Sequence, residues 1–243
     1  MSANAWLAEL NAARQARQPA VRHTHSLHNG RELVIIQKHG AHLGSSLWHA
    51  ALPLAHYLHA SGLWRRRSGR RVLELGAGCG AAGLAAALGA DPADAAALLV
   101  LTEKPELVPH LRANVEANAA ALDDRAVRVL PLDWVAASAE DWDCLLAAGQ
   151  FDLVVAADCV YELPLLKALA DAAARALAPD GVFVCGFCRR GGALCPPSAV
   201  EPVLLERFDI AERASLALDG PATPTAGSDT SAMTVLQLTL LRR

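Results

Sequence analysis

Aromatic side chains are scarce in this chain: Phe, Trp and Tyr make up 5% of its 243 residues. A basic surplus is missing too, since 22 Lys and Arg stand against 25 Asp and Glu for a net charge of -3. Proteins that grip nucleic acid through its phosphates carry a strong excess of positive charge, so no nucleic-acid partner is expected. Cysteine is too sparse for a disulfide scaffold, with six in the whole chain and no regular spacing. An apolar leader is absent from MSANAWLAELNAARQARQ, which sets the expectation of no secretory signal. The first 31 residues carry Arg14, Arg17, Arg22 and Arg31 against Glu9 alone, so a transit peptide stays open. Residues 39–64 hold no Asp, Glu, Lys or Arg, but five His and Pro53 argue against a bilayer-spanning helix. A reducing compartment follows as the expectation: cytoplasmic first, nuclear second, mitochondrial less favoured.

What the chain does have is apolar bulk. At 53% hydrophobic and 19% charged it can bury a real core without metal or disulfide. The length fits a single domain over residues 1–243, an N-terminal extension (1–70) leading into a core (71–243). Residues 3–18 read as a short amphipathic helix with Trp6, Leu7 and Leu10 on one side. Asn29-Gly30 separates two strand-like runs, Val21–His28 and Arg31–Lys38, which predicts a β-hairpin. Residues 47–60 read as a helix.

From residue 71 apolar strands alternate with Ala-rich helices. Strands are expected at 71–75, 97–102, 126–132, 151–157 and 182–187, and helices at 81–88, 106–120, 163–177 and 200–207. Two closing strands, 208–215 and 233–241, have only the Pro/Gly/Ser/Thr loop 221–231 between them. This order predicts an α/β, Rossmann-like, seven-stranded and mostly parallel sheet with an antiparallel C-terminal edge hairpin.

The segment Val72–Gly83 reads as a strand entering a glycine-rich turn and then a helix. Gly78-x-Gly80-x-x-Gly83 matches the dinucleotide fingerprint, but Glu74 places a carboxylate just ahead of the turn. A pyrophosphate would be repelled there, whereas the sulfonium and ammonium of S-adenosylmethionine would be favoured. Glu103, ending the second core strand, is placed to accept hydrogen bonds from ribose hydroxyls, which does not separate the two cofactors.

With that turn in place, the chain from about residue 30 onward resembles the seven-strand protein-lysine methyltransferases, lysine methyltransferase family 16. Four stretches carry the resemblance: Gly44–Ala51 with Trp48, the glycine turn, Leu132-Asp133-Trp134, and Asp152–Tyr161 with its Asp-x-x-Tyr signature. Asn114-Val-Glu-Ala-Asn118 also fits. Two features depart from the family pattern: Asp91-Pro-Ala-Asp94 lengthens the segment before Glu103, and Glu103 stands where Asp is commoner. The resemblance implies S-adenosylmethionine as cofactor, held by Trp48, Gly76, Ala77, Gly78, Glu103, Asp133, Trp134 and Ala157. Asp133 would meet the adenine amine, and Trp134 would act mostly through its backbone. The implied reaction is methylation of a lysine on a protein partner, chaperones and translation factors being known targets of the family. Alternatives are a small-molecule or other N-methyltransferase, a catalytically silent binding module, and an NAD-linked oxidoreductase.

Asp158 and Tyr161 are the expected catalytic pair. The attacking amine must be neutral although its ordinary pKa is about 10.4, and a dry, apolar channel lowers it. Asp158 would accept a hydrogen bond from the amine, and Tyr161 would wall the channel with its ring face toward developing positive charge. Helix N-capping is an equally simple role for Asp158, and packing for Tyr161.

Other features invite blander readings. Cys185-Gly-Phe-Cys188 lacks a second ligand pair, and His23-x-His25 and His56-x-x-His59 lack a carboxylate or thiol partner, so no metal is expected. Arg65–Arg71 reads as a solvated basic loop, Asp141-Trp142-Asp143 as a connection at a substrate rim, and His49 as a neighbour of the cofactor mouth. No nucleophile elbow is present. Nothing demands more than a monomer.

Overall fold

The computed structural model describes residues 19–38, 42–64, 70–94, 96–123, 125–159, 163–189, 197–217 and 234–242. The expected helix at 3–18, most of the arginine cluster, Tyr161 and the 221–231 loop lie outside the described residues.

The Asn29-Gly30 turn, with Gly30 at φ 77°, joins β1 (Val21–Ser26) to β2 (Glu32–Gln37) as an antiparallel hairpin. The second sheet holds β3 (Arg71–Leu75), β4 (Leu98–Glu103), β5 (Val127–Pro131), β6 (Phe151–Ala157), β7 (Leu177–Arg189), β8 (Phe208–Ala217) and β9 (Thr234–Arg242). Its order is β5-β4-β3-β6-β7-β9-β8. Strands β3 to β7 run parallel, while β9 is antiparallel to both β7 and β8. Rossmann-like topology with a C-terminal antiparallel edge is therefore observed.

Period-2 alternation in these strands builds two cores. Leu73, Leu75, Val100 and Val154 face one side, where α5 (Ala139–Leu146), α6 (Leu163–Ala176) and α7 (Pro197–Leu204) pack. Val72, Leu99, Leu101, Leu153 and Val155 face the other, toward the hairpin, α1 (Ala51–Ala60) and α2 (Ala81–Gly89). Two more helices, α3 (Val108–Ala117) and the single turn α4 (Ala119–Leu122), connect β4 to β5.

Two readings of the sequence need correction. Asp141-Trp142-Asp143 is not a rim connection but part of α5, because Ser138 and Asp141 form a reciprocal capping box that starts a helix. Trp142 is buried in the core beneath the Arg175 guanidinium, 4.4 Å from its ring centre. Strand β7 begins at Leu177, so residues 178–181, left between the expected helix 163–177 and strand 182–187, fall inside an irregular first stretch of the strand. Leu177 pairs with Phe151 before the regular ladder resumes at Val182.

Strand order reverses between β3 and β6. In open α/β sheets this switch point leaves a crevice beyond the carboxyl ends of the two strands, where no connection can cover it. Both the glycine turn and Asp158 emerge there.

Candidate active site

Beyond β3 the chain must double back at once to start α2. It does so with Gly76, Gly78 and Gly80 at φ of 63°, 56° and 75°, left-handed values that side chains resist. Gly76 also packs flat: a Cβ there would sit 2.6 Å from the Trp134 ring and 2.8 Å from the Cys159 sulfur. A Cβ on Gly78 would meet the carbonyl of Gly44 at 2.9 Å. Ala77 is tied to β4 by its N–H, which donates to the Thr102 carbonyl at 2.9 Å.

Two carboxyls stand behind this turn. Glu103 accepts the Gly78 N–H at 2.9 Å and the Lys104 N–H at 2.8 Å. Burial raises its pKa, and those two bonds pull it part of the way back. Glu74 is 1% exposed and accepts the Gly83 N–H at 2.8 Å. Burial pushes its pKa up to about 8, with the charge of Glu103 adding to the rise. A Cβ on Gly83 would lie 2.5 Å from the Glu74 carboxylate, so the third glycine of the apparent dinucleotide fingerprint makes room for an acid. Neither carboxylate forms an ion pair among the described residues.

Past β5, Asp133 receives the Val135 N–H at 3.1 Å, and the buried Trp134 indole N–H has no partner among the described residues. Past β6, half-buried Ala157 precedes Asp158, itself at φ 55°. One Asp158 oxygen accepts the Cys188 N–H at 2.9 Å, the other the Ala50 N–H at 3.1 Å. Asp158 thus ties the end of β6 to β7 and to the start of α1. It places a carboxylate at the N-terminus of α1, where the helix has no acid of its own.

The opposite wall is a strap, residues 42–48, whose short turn Leu43–Ser45 lies over Gly78. The Trp48 indole N–H donates to the Leu43 carbonyl at 2.8 Å, closing the strap on itself.

Between these walls lies a cleft of about 480 Å³, within the range for a small-molecule cofactor. Trp48, Gly76, Ala77, Gly78, Glu103, Asp133, Trp134, Ala157 and Asp158 all line it. His49 is not among its lining residues. Leu43, Lys104, Glu106, Leu107 and Val135 line it without having been singled out from sequence, since they stand outside any motif. Cys79 and Cys159 line it as well, and burial pushes the Cys79 thiol up to about 12 and that of Cys159 well above its ordinary value.

No group of three or more His, Cys, Asp or Glu able to hold a metal occurs among the described residues. The His28 and His59 rings lie 5.0 Å apart, tilted by 52°, and the ring nitrogen Nε2 of His59 lies 2.9 Å from the Ala86 carbonyl.

The donor set fits an adenosyl cofactor that carries positive charge and no phosphate. Two buried acids and an orphan indole N–H surround the cleft, and among the described residues no basic side chain other than Lys104 and His42 lines it.

Comparison with known proteins agrees with this chemistry. Mouse EEF1A lysine methyltransferase 3 is 35% identical over 157 residues, covering 63% of this chain and 60% of the relative. Zebrafish protein N-lysine methyltransferase METTL21A is 35% identical over 115 residues, 47% of either chain. The chain thus spans roughly half to three-fifths of the length of these curated relatives. Among solved structures, the Thermus thermophilus 16S rRNA N2 G1207 methyltransferase, in complex with AdoMet and guanosine, shares the fold. It superposes with a TM-score of 0.57 at 22% identity, over 92% of this chain and 51% of that one. Residues 27–194 match the lysine methyltransferase family model, well over half of the sequence, and so the chain belongs to that family, whose cofactor is S-adenosylmethionine.

Proposed function

We propose that this protein transfers a methyl group from S-adenosylmethionine to the side-chain amine of a lysine on a partner protein. The observation that carries the reading is the pair of buried acids, Glu74 and Glu103, behind a glycine turn that faces Asp158 across one cleft. When bound, S-adenosylmethionine supplies a methyl group open to in-line displacement by a neutral amine. Positioning is therefore most of the catalysis.

Each residue has a part in that positioning. Glu103, held by the Gly78 and Lys104 N–H groups, keeps a lone pair on each oxygen for ribose hydroxyls. Glu74 offers negative charge to a cation, and a bound cation would draw its raised pKa down again. Asp133 and Trp134 hold the adenine end, Trp48 and the strap cover the cofactor, and Ala157 keeps the floor open. Asp158, its carboxylate fixed by Cys188 and Ala50, accepts an N–H of the incoming amine and aims its lone pair. Tyr161, by resemblance, walls the lysine channel. Leu43, Leu47, Leu107 and Val135 exclude water and so favour the uncharged amine. The proton lost by the lysine goes to solvent, and no dedicated base is required. The cleft thiols stay protonated because of their raised pKa, so they do not compete with the lysine as nucleophiles.

The substrate is a folded protein of the chaperone or translation-factor kind that the resemblance implies. Named relatives act on EEF1A and on calmodulin. The enzyme works as a monomer in the cytoplasm, with the nucleus as second location, and takes no nucleic acid, in keeping with its net charge of -3.

Tritiated methyl donor incubated with cell lysate and the protein tests this. Label is expected in a discrete protein band that yields methyllysine on hydrolysis. Label confined to the small-molecule fraction, or present equally with heat-killed protein, contradicts it.

A further inference from the structure

Among the described residues, strand β2 has β1 on one edge and no strand on the other, yet that open edge is paired. In an antiparallel ladder, alternate residues turn both backbone groups to the same edge. Val34 and Ile36 turn theirs toward α3. The side-chain oxygen of Asn118, the residue that ends α3, accepts the Val34 N–H at 2.8 Å, and its amide nitrogen donates to the Val34 carbonyl at 2.7 Å. Asn114 repeats the arrangement on Ile36, at 2.7 and 3.2 Å. Four helical residues rise about 6 Å and two strand residues about 6.6 Å, so amides one turn apart match alternate strand residues. Both asparagines are essentially buried, at 0% and 2% exposure.

What hangs from the end of β2 is the strap. The Gln37 side-chain carbonyl accepts the Leu47 N–H at 2.8 Å, and the Lys38 N–H donates to the Ser45 carbonyl at 2.9 Å. The Ser45 hydroxyl donates back to the Lys38 carbonyl at 2.7 Å. At the neighbouring strap residue, a Cβ on Gly44 would stand 2.8 Å from Leu107 Cδ1 and 3.5 Å from both the Glu103 carboxylate and the Gly78 Cα. The strap thus sits against the glycine turn with no spare space, and its height is set by β2.

We propose that Asn114 and Asn118 are positioning residues for cofactor binding: they act as a two-rung surrogate strand that holds β2, and through Gln37 and Ser45 hold the strap over the cleft. The inference rests on the reading of this cleft as the S-adenosylmethionine site. It assigns to these amides a role in ligand affinity, beyond covering an open sheet edge against other chains.

The test is calorimetric titration with S-adenosylhomocysteine, paired with residue-resolved amide exchange, on the wild type and on Asn114→Leu/Asn118→Leu. In the wild type, ligand is expected to slow exchange at Val34 and Ile36 several-fold. The double variant should bind at least about tenfold more weakly while keeping its near-ultraviolet spectrum. Asn114→Asp, which keeps the acceptor for Ile36 but loses the donor, should fall between the two. A folded double variant that binds within twofold of wild type overturns the proposal. If the double variant does not fold, the wild-type exchange decides: ligand slowing at Val34 and Ile36 supports the proposal, and identical exchange with and without ligand overturns it. A wild type that binds no S-adenosylhomocysteine overturns the cofactor reading itself and this inference with it.

Discussion

On the sheet side the cleft wall is made by the ends of β3, β4 and β6, backed by Leu75, Val100, Val154 and Leu101, each 2% exposed or less. On the strap side the wall is residues 42–48, with Leu43 64% exposed and the segment held by a hydrogen bond to the Gln37 side chain and others from the Lys38 N–H and the Trp48 indole. The first wall is part of the core, so it cannot move without breaking close packing. The second is secured by a handful of bonds, each worth only about 1 kcal/mol net. Changes to the packing of the sheet wall should therefore alter stability and ligand binding together, and changes in the strap should alter binding with little loss of stability.

The largest expected effect tests whether chemistry belongs to the sheet wall. Asp158→Asn keeps one acceptor oxygen for the backbone groups it holds, so S-adenosylhomocysteine affinity should stay within about threefold while turnover falls roughly 100-fold, the scale of a lost polar catalytic contact. Single-turnover methylation assays read both, and retained turnover would remove the role given to Asp158. Next is Gly78→Ala, which forces a Cβ into a left-handed site against the Gly44 carbonyl. It should cost about 1–2 kcal/mol, roughly 2–8 °C in Tm by calorimetry, and weaken ligand binding as well. A Tm unchanged from wild type would show that the turn is not part of the rigid wall.

Glu74→Gln sharpens the comparison through pH. Because burial lifts Glu74 to about 8 in the folded protein, the unfolded chain ionises first, from about 4.5 upward. Stability from this group is complete below about 4.5 and is lost as pH climbs to about 8, at up to about 1.4 kcal/mol per pH unit. The raised pKa of Glu103 acts in the same direction. Denaturant midpoints of Glu74→Gln should fall less steeply than wild type between pH 5 and pH 8, and parallel curves would contradict the burial argument. The smallest effect belongs to the strap: Trp48→Phe removes the bond to Leu43 at a cost of about 1 kcal/mol or less, with KM for the methyl donor raised a few-fold. A large drop in Tm would mean that the strap is core after all.

Legibility in the sequence followed the distance between interacting residues. Strands β3 and β6 and the glycine turn were readable because apolar run, turn and acid are contiguous in Val72–Gly83 and Phe151–Asp158. The capping box Ser138–Asp141 is equally local in sequence, but acids on both sides of Trp142 fit a connection as well as a helix start. The partners of Asp158 could not be read, since Ala50 lies 108 residues before it and Cys188 thirty after. The same holds for Asn118 and Val34, 84 residues apart: the Asn114–Asn118 stretch fits the family pattern, and only the fold shows the strand edge the two asparagines meet.

The most direct test of the whole account is a calorimetric titration of the purified protein with S-adenosylhomocysteine and, separately, with NAD. Saturable one-to-one heat with the first ligand and none with the second is the predicted result. Binding of NAD, or silence with both ligands, would contradict the claim that an acid-backed glycine turn and its strap form a site for a phosphate-free adenosyl cofactor.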